Sequence, residues 1–70
     1  MVEKTILLTG TSPNGLEEAV KLAMARAAVT INGLRRARVR DLRMELEDGE
    51  VVRWIADVEV TFEVKEEVHG

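Results

Sequence analysis

The sequence predicts an α+β domain with the element order β-α-β-β, in which a three-stranded antiparallel sheet wraps around one helix. Three observations lead to this fold class. A run of β-forming residues ends in a segment rich in turn residues, an amphipathic helical stretch follows, and two long strand-like segments flank the dipeptide Asp48-Gly49. A chain of 70 residues is expected to form a single domain, residues 1–70.

The first strand and the helix are marked by the change in residue type along the chain. The run Lys4-Thr5-Ile6-Leu7-Leu8-Thr9 predicts a strand, and Gly10 to Gly15 consists of turn-forming residues. Asn14 and Glu17 have the spacing of a capping box at a helix start, and Asn32-Gly33 predicts the helix end. Between them, apolar residues recur at three- and four-residue steps, namely Leu16, Ala19, Val20, Ala23, Ala27 and Ile31.

The remaining sequence predicts a long hairpin, Leu34 to Glu47 and Glu50 to Val64, because Asp-Gly is a strong signal for a two-residue turn. Such a turn pairs residues symmetrically about it and places Arg43 opposite Trp54 on the helix-facing side, where we expect a cation–π contact. The last strand is predicted to lie in the middle of the sheet.

The other face of this hairpin is predicted to carry a charged end and an apolar end. The same pairing places Arg38 opposite Glu59 and Arg40 opposite Asp57. Arg36 lies opposite Thr61 and has no such partner. Exposed apolar patches often mark protein interfaces. The predicted patch consists of Leu42, Met44, Leu46, Val51 and Ile55.

Composition favours a self-associating protein over several other classes. The chain has no cysteine, and its core is too small to supply much stability alone, so we expect a homo-oligomer. Ten basic and 13 acidic residues give a net charge of −3, which disfavours a nucleic-acid surface. The sequence contains neither a membrane-spanning apolar run nor the pattern of a signal peptide, so a cytoplasmic location without membrane contact is expected.

Catalytic chemistry is not expected from these residues. The chain has one serine, Ser12, no cysteine and no tyrosine, and its single histidine is His69 near the chain end. The glycine-rich turn lacks the Lys-Ser/Thr pair of a phosphate loop, because Leu16-Glu17 stands in that place. The acidic hairpin tip lacks EF-hand spacing and is interpreted as a solvated turn.

The chain resembles the dodecin family of small flavin-binding proteins over Val2 to about Val64. The residues that carry this resemblance are Gly10 to Ala19 after the first strand, Ala25-Arg26-Ala27 and Thr30 in the helix, Glu47-Asp48-Gly49 at the turn, and Val60-Thr61-Phe62 in the last strand. The resemblance implies the β-α-β-β fold and a hollow shell of twelve subunits. A branch of the family, the calcium dodecins, lacks the family's tryptophan in the second strand and carries a stretch similar to Ala37-Arg38-Val39, so the chain looks closer to that branch.

The resemblance also implies where a flavin, FMN or riboflavin, would bind. Family members stack the flavin ring on a tryptophan and hydrogen-bond its edge with a glutamine, and these roles fall on Arg36 and Ile55, with Arg38 beside them. Neither residue suits its role, so we expect weak or lost flavin binding by a non-enzymatic binding or storage shell. The alternatives are a shell that binds Ca²⁺ through Asp41, Asp57 and Glu59 brought together by symmetry, a purely structural assembly, and a nucleic-acid binder.

Overall fold

The computed structural model describes residues 2–65, so His69 lies outside the described residues. The elements are the strand β1 (Val2–Ser12), the helix α1 (Leu16–Thr30), and the strands β2 (Leu34–Glu47) and β3 (Glu50–Val64). They form an antiparallel three-stranded sheet in the order β1-β3-β2, which confirms the predicted fold class and the central position of the last strand.

The core lies between α1 and the two strands β1 and β3, and it is built from small side chains. Ala19, Ala23 and Ala27 line the buried face of the helix, because residues three and four apart share one side of a helix. They pack on the central strand, where Ala56, Val58 and Val60 are fully buried. Small residues on both surfaces let the helix and sheet approach closely.

Gly10 is the position of closest approach between β1 and the helix. A Cβ atom at Gly10 would lie 2.1 Å from the carbonyl oxygen of Ala19 and 3.0 Å from Ala23. β1 continues through this glycine to Ser12, which pairs with Trp54. The strand is therefore longer than the predicted one, which ended at Thr9. The predicted turn is correspondingly shorter.

The start of α1 is held by a different acidic residue from the one predicted. Gly15 is the N-cap residue and offers no side-chain hydrogen bond. The Ser12 hydroxyl and the Asn14 side-chain amide both donate to Glu18 Oε1, over 2.9 and 3.0 Å, while the Asn14 backbone N–H donates to Ser12 Oγ. The predicted capping box of Asn14 and Glu17 is therefore wrong. Glu17 instead forms an ion pair with the lysine one turn later.

The hairpin turns at the predicted residues, but its register contains irregularities that the sequence analysis did not predict. Asp48 and Gly49 both have positive φ, 51° and 78°, as a type I′ turn requires. Farther along, Arg40 is an extra residue in β2 and Val52 is an extra residue in β3. Between these two bulges, from Asp41 to Glu45, the pairing is shifted by one residue.

This shift places several side chains on the face opposite to the predicted one. Leu42 lies opposite Ala56 and Met44 lies opposite Trp54, so these two β2 residues lie on the sheet face that packs on α1. Arg43 lies opposite Ile55 on the other face, so the predicted contact between Arg43 and Trp54 is wrong. Of the predicted patch, Leu42, Met44 and Leu46 are exposed as expected, but the inclusion of Ile55 is wrong, because Ile55 is only 8% exposed.

The apolar side chains that remain uncovered form what we call the hairpin patch. Its members are Leu42, Met44, Leu46 and Val52, each 40 to 56% exposed. The helix of 15 residues is about 22 Å long, whereas β3, also of 15 residues, is about 50 Å long, so the hairpin projects beyond the helix.

The projection gives the chain an elongated shape. Its extents are 62 × 19 × 13 Å, and its radius of gyration of 15.3 Å compares with about 11 Å for a compact domain of this length. Within residues 2–65, no helix is both long and apolar enough to cross a membrane.

Candidate functional site

The candidate site lies on the outer face, by which we mean the sheet face that points away from α1. Residues alternate between the two faces of a strand, and the outward set on all three strands is mostly polar or charged. The central strand contributes Ile55, Asp57, Glu59 and Thr61, with arginines of β2 on one side and threonines of β1 on the other.

The two predicted flavin positions share the outer face but lie far apart within one chain. Arg36 pairs with Thr61, which is six residues from Ile55 along β3. At the rise of a β-strand this separation is about 20 Å. A pocket that contains both positions therefore needs residues from two copies of the chain.

Arg36 has an ion-pair partner that the sequence analysis did not predict. Its Nη2 atom donates to Glu3 Oε1 over 2.8 Å, across the sheet from β2 to β1. The side chain is 65% exposed and presents a guanidinium rather than an aromatic ring. Next to it, Arg35 pairs with Glu63, and this hydrogen bond raises the pKa of the Arg35 guanidinium.

Ile55 is buried on the outer face between Thr11 of β1 and Arg43 of β2. Its side chain has no hydrogen-bonding group, so it offers no polar contact to the edge of a ligand ring. A glutamine at this position would present both a donor and an acceptor.

Arg38 forms the predicted pair with Glu59, with 3.6 Å between Nη2 and Oε1. Arg40 also approaches Glu59, and its Nη1 lies 2.6 Å from Oε2. The predicted pair of Arg40 with Asp57 is wrong, because the bulge at Arg40 shifts the next residue, Asp41, into the place opposite Asp57.

Asp41 and Asp57 are joined by a single arginine. Like charges directly opposite each other destabilise a sheet. Here Arg43 Nη1 donates to Asp41 Oδ2 and to Asp57 Oδ2, both over 2.8 Å, and the Thr9 hydroxyl donates to Asp57 Oδ1 over 2.8 Å. Hydrogen bonds from Arg43 and then Thr9 lower the pKa of Asp57, and the two carboxylates raise the pKa of Arg43.

The three predicted cation ligands are not gathered into one cluster within the chain. Asp41 and Asp57 are bound by Arg43, while Glu59 is bound by two other arginines. Among residues 2–65, no group of three acidic or histidine side chains is arranged to hold a metal ion.

Two contributors to this face, Glu3 and Thr9, were missed because β1 was predicted to be shorter and its partners on β3 were not assigned. The bulge did have a sequence signal. From Ala37 onward, apolar residues in β2 occupy odd positions up to Val39 and even positions from Leu42, which is the pattern that an extra residue produces in a strand.

Comparison with known proteins agrees with this architecture. The family model described as Dodecin matches residues 2–65. A dodecin from Thermus thermophilus is 35% identical over 65 residues, which span 93% of this chain and 94% of the relative.

Solved structures show the same arrangement. Dodecin from Streptomyces coelicolor superposes with a TM-score of 0.87 at 32% identity and covers 94% of each chain. A calcium-chelating antigen from Mycobacterium tuberculosis, called calcium dodecin and described with a novel calcium-binding site, superposes with a TM-score of 0.81 at 32% identity over 93% of each chain. The chain described here belongs to the dodecin family.

Proposed function

We propose that this protein is a non-enzymatic, dodecameric binding shell of the dodecin type whose flavin pocket is altered, so that it binds flavins weakly or not at all. The observation that carries the proposal is the pair of residues at the pocket positions. Arg36 is bound to Glu3 on the outer face, and Ile55 is buried without a polar group. Together they replace the stacking and hydrogen-bonding side chains of a flavin-binding dodecin.

The shape of the chain supports assembly. A buried core made of alanines and valines is small, and the hairpin patch leaves four large or branched apolar side chains uncovered. Exposed apolar patches in soluble proteins are commonly covered by partners. Copies of the same chain are the partners that the dodecin family implies.

The expected loss of flavin affinity follows from the two altered groups. An aromatic stacking contact contributes about 0.5–1.5 kcal/mol beyond area burial, and each ring-edge hydrogen bond contributes about 0.5–1.5 kcal/mol. Arg36 would also have to leave Glu3 to stack on a ring. In exchange, Arg36, with Arg38 on the same face, would bind a phosphate, so FMN is expected to bind better than riboflavin.

Fluorescence titration tests the proposal directly. Riboflavin and FMN are titrated separately with the protein and with the double variant Arg36→Trp/Ile55→Gln, which is expected to quench flavin fluorescence far more strongly. Lys21→Trp is the matched control, because it places the same ring on an exposed side chain of α1, on the other side of the sheet from the outer face. Tight quenching by the unmodified protein would contradict the proposal.

A second candidate function, calcium binding, is supported by the similarity to the calcium dodecin of Mycobacterium tuberculosis. Asp41, Asp57 and Glu59 from neighbouring subunits would supply the oxygen ligands that calcium prefers. Binding would require the cation to displace Arg43 from the two aspartates.

Calcium binding is tested by thermal unfolding in millimolar calcium and in chelator. A ligand that binds only the folded state raises the melting temperature. The proposed site predicts a rise that disappears in Asp57→Asn. Equal melting temperatures in calcium and chelator would contradict it.

A further inference from the structure

One flank of α1, beside the edge strand β1, is neither part of the core nor part of the flavin or calcium positions. Leu22, Arg26 and Val29 lie on this flank, because residues at these spacings share one side of a helix. Leu22 is 48% exposed and Val29 is 82% exposed. The flank therefore presents a cation between two uncovered apolar side chains.

Arg26 lines a cleft of about 260 Å³ between the helix and β1. The strand side of the cleft is formed by Leu8 to Thr11, with Gly10 contributing only backbone. β1 is an edge strand, so alternate N–H and C=O groups along it point away from β3 and remain available to a neighbouring molecule.

The charge of this cleft is not balanced within the described chain. Arg26 is the one arginine among residues 2–65 with no carboxylate within ion-pair distance. The others, Arg35, Arg36, Arg38, Arg40, Arg43 and Arg53, each contact one or two carboxylates. No acidic side chain lines the Arg26 cleft, whereas other clefts of the described chain contain Glu17, Glu45 or Glu63. The cleft therefore fits a carboxylate from outside the chain.

The tip of the hairpin has the complementary composition. Within residues 2–65, the side chains of Glu47, Asp48 and Glu50 form no ion pair, and Leu46 and Val52 beside them are exposed. The tip cannot reach its own cleft. The strand segment beside the cleft pairs with residues around Ala56, and Glu50 lies six residues farther along β3, about 20 Å away.

We propose that the acidic hairpin tip of one subunit docks in the Arg26 cleft of a neighbouring subunit. Glu47 or Glu50 pairs with Arg26, and the apolar side chains beside the tip cover Leu22 and Leu8 of the neighbour. This contact satisfies the unpaired charges on both surfaces and covers part of the hairpin patch. It rests on the proposed oligomeric function and adds a defined subunit contact to it.

Charge reversal with rescue tests the contact. Native mass spectrometry and dilution-dependent light scattering are applied to the wild type, Arg26→Glu, and Arg26→Glu combined with Glu47→Arg and Glu50→Arg. Arg26→Glu is expected to raise the concentration needed for assembly about tenfold or more at low salt, because like charges meet in the contact. The triple variant is expected to recover assembly. Lys21→Glu is the matched control, because it makes the same charge change on the same helix at a residue already paired with Glu17.

Each outcome decides the proposal. Weaker assembly of Arg26→Glu with recovery in the triple variant supports docking of the tip in the cleft. Unchanged assembly of Arg26→Glu overturns it, and weakened assembly without recovery overturns the tip as the partner. A wild type that remains monomeric contradicts the oligomeric function itself, and circular dichroism of every variant confirms that the chain remains folded.

Discussion

The two ends of the sheet differ in the size of their apolar side chains and in how far these are buried. Where α1 covers the sheet, the central strand uses small residues, and Ala56, Val58 and Val60 are fully buried. Where the hairpin projects beyond the helix, the chain carries Leu42 and Met44, which are 48% and 51% exposed. The larger apolar side chains are therefore placed where the single chain does not cover them. On the proposed oligomeric function, the covered end stabilises the subunit, whereas the projecting end supplies contact with another subunit.

The bulge at Arg40 keeps the apolar side chains of both ends on the same face of the sheet. Without it, the alternation of β2 would place Leu42 and Met44 on the outer face. The extra residue returns them to the face of Ala56 and Trp54. The apolar surface therefore continues from the core into the projecting end, while the outer face keeps its ion pairs along the sheet.

The largest expected effect is on assembly, from Leu42→Glu in the projecting end. An unpaired charge buried in a subunit interface costs several kcal/mol, about 3–5 by analogy with broken buried ion pairs. We expect the shell to dissociate while circular dichroism retains the signal of a folded sheet, and native mass spectrometry measures the change. Ala28→Glu adds the same charge at an exposed helix position and is expected to leave the assembly intact. A folded shell of Leu42→Glu would show that this patch is not an interface.

The covered end is expected to respond through stability instead, and Gly10→Ala probes it. The added Cβ would lie 2.1 Å from the Ala19 carbonyl oxygen, so the helix must move away from β1. Overpacking of this kind costs about 1–3 kcal/mol. Chemical denaturation should show a lower free energy of unfolding, and Gly15→Ala, which has no atoms within 4 Å of the added Cβ, is the comparison. Equal destabilisation by the two variants would contradict close packing at Gly10.

The element types and most of their bounds were easier to predict from the sequence than the candidate site. Alanines at helical spacing, the Asp48-Gly49 turn and the alternation of β3 each report a local preference, and local preferences determine element type. The bounds of β2 and β3 follow from the same signals and agree with the structure. β1 was predicted too short, because its last residues are turn formers that are held in the strand by pairing with β3.

The candidate site was harder to predict because it depends on register. Arg36 opposite Thr61 and Arg38 opposite Glu59 were predicted correctly, because the extra residues at Val52 in β3 and Arg40 in β2 cancel and return these pairs to the symmetric register about the turn. Between the two bulges, the partners and the sheet face of Asp41 and Arg43 both differ from the predicted ones, because a shift of one residue alters both. Side-chain partners across the sheet, such as Glu3 for Arg36, depend on three strands at once and leave no local pattern.

The smallest expected effect concerns the ion pair that joins the two ends, Arg43 of the projecting end and Asp57 of the covered end. Hydrogen bonds from Arg43 and Thr9 lower the pKa of Asp57 below its ordinary value of 3.8. A lowered pKa in the folded state means that the stabilisation is fully present above the unfolded pKa and is lost as pH falls through the folded pKa. The melting temperature should therefore decrease on acidification below about pH 4, where the unfolded aspartate binds a proton first.

Removing the arginine should flatten this dependence. In Arg43→Gln the folded pKa of Asp57 returns toward its ordinary value, so the difference between folded and unfolded proton binding shrinks. Melting curves of the wild type and Arg43→Gln between pH 2 and 7 measure the change. The two profiles should differ near neutral pH and converge in acid. Profiles that stay parallel over the whole range would show that Arg43 does not stabilise the ionised form of Asp57, and that the two ends of the sheet are not linked through this pair.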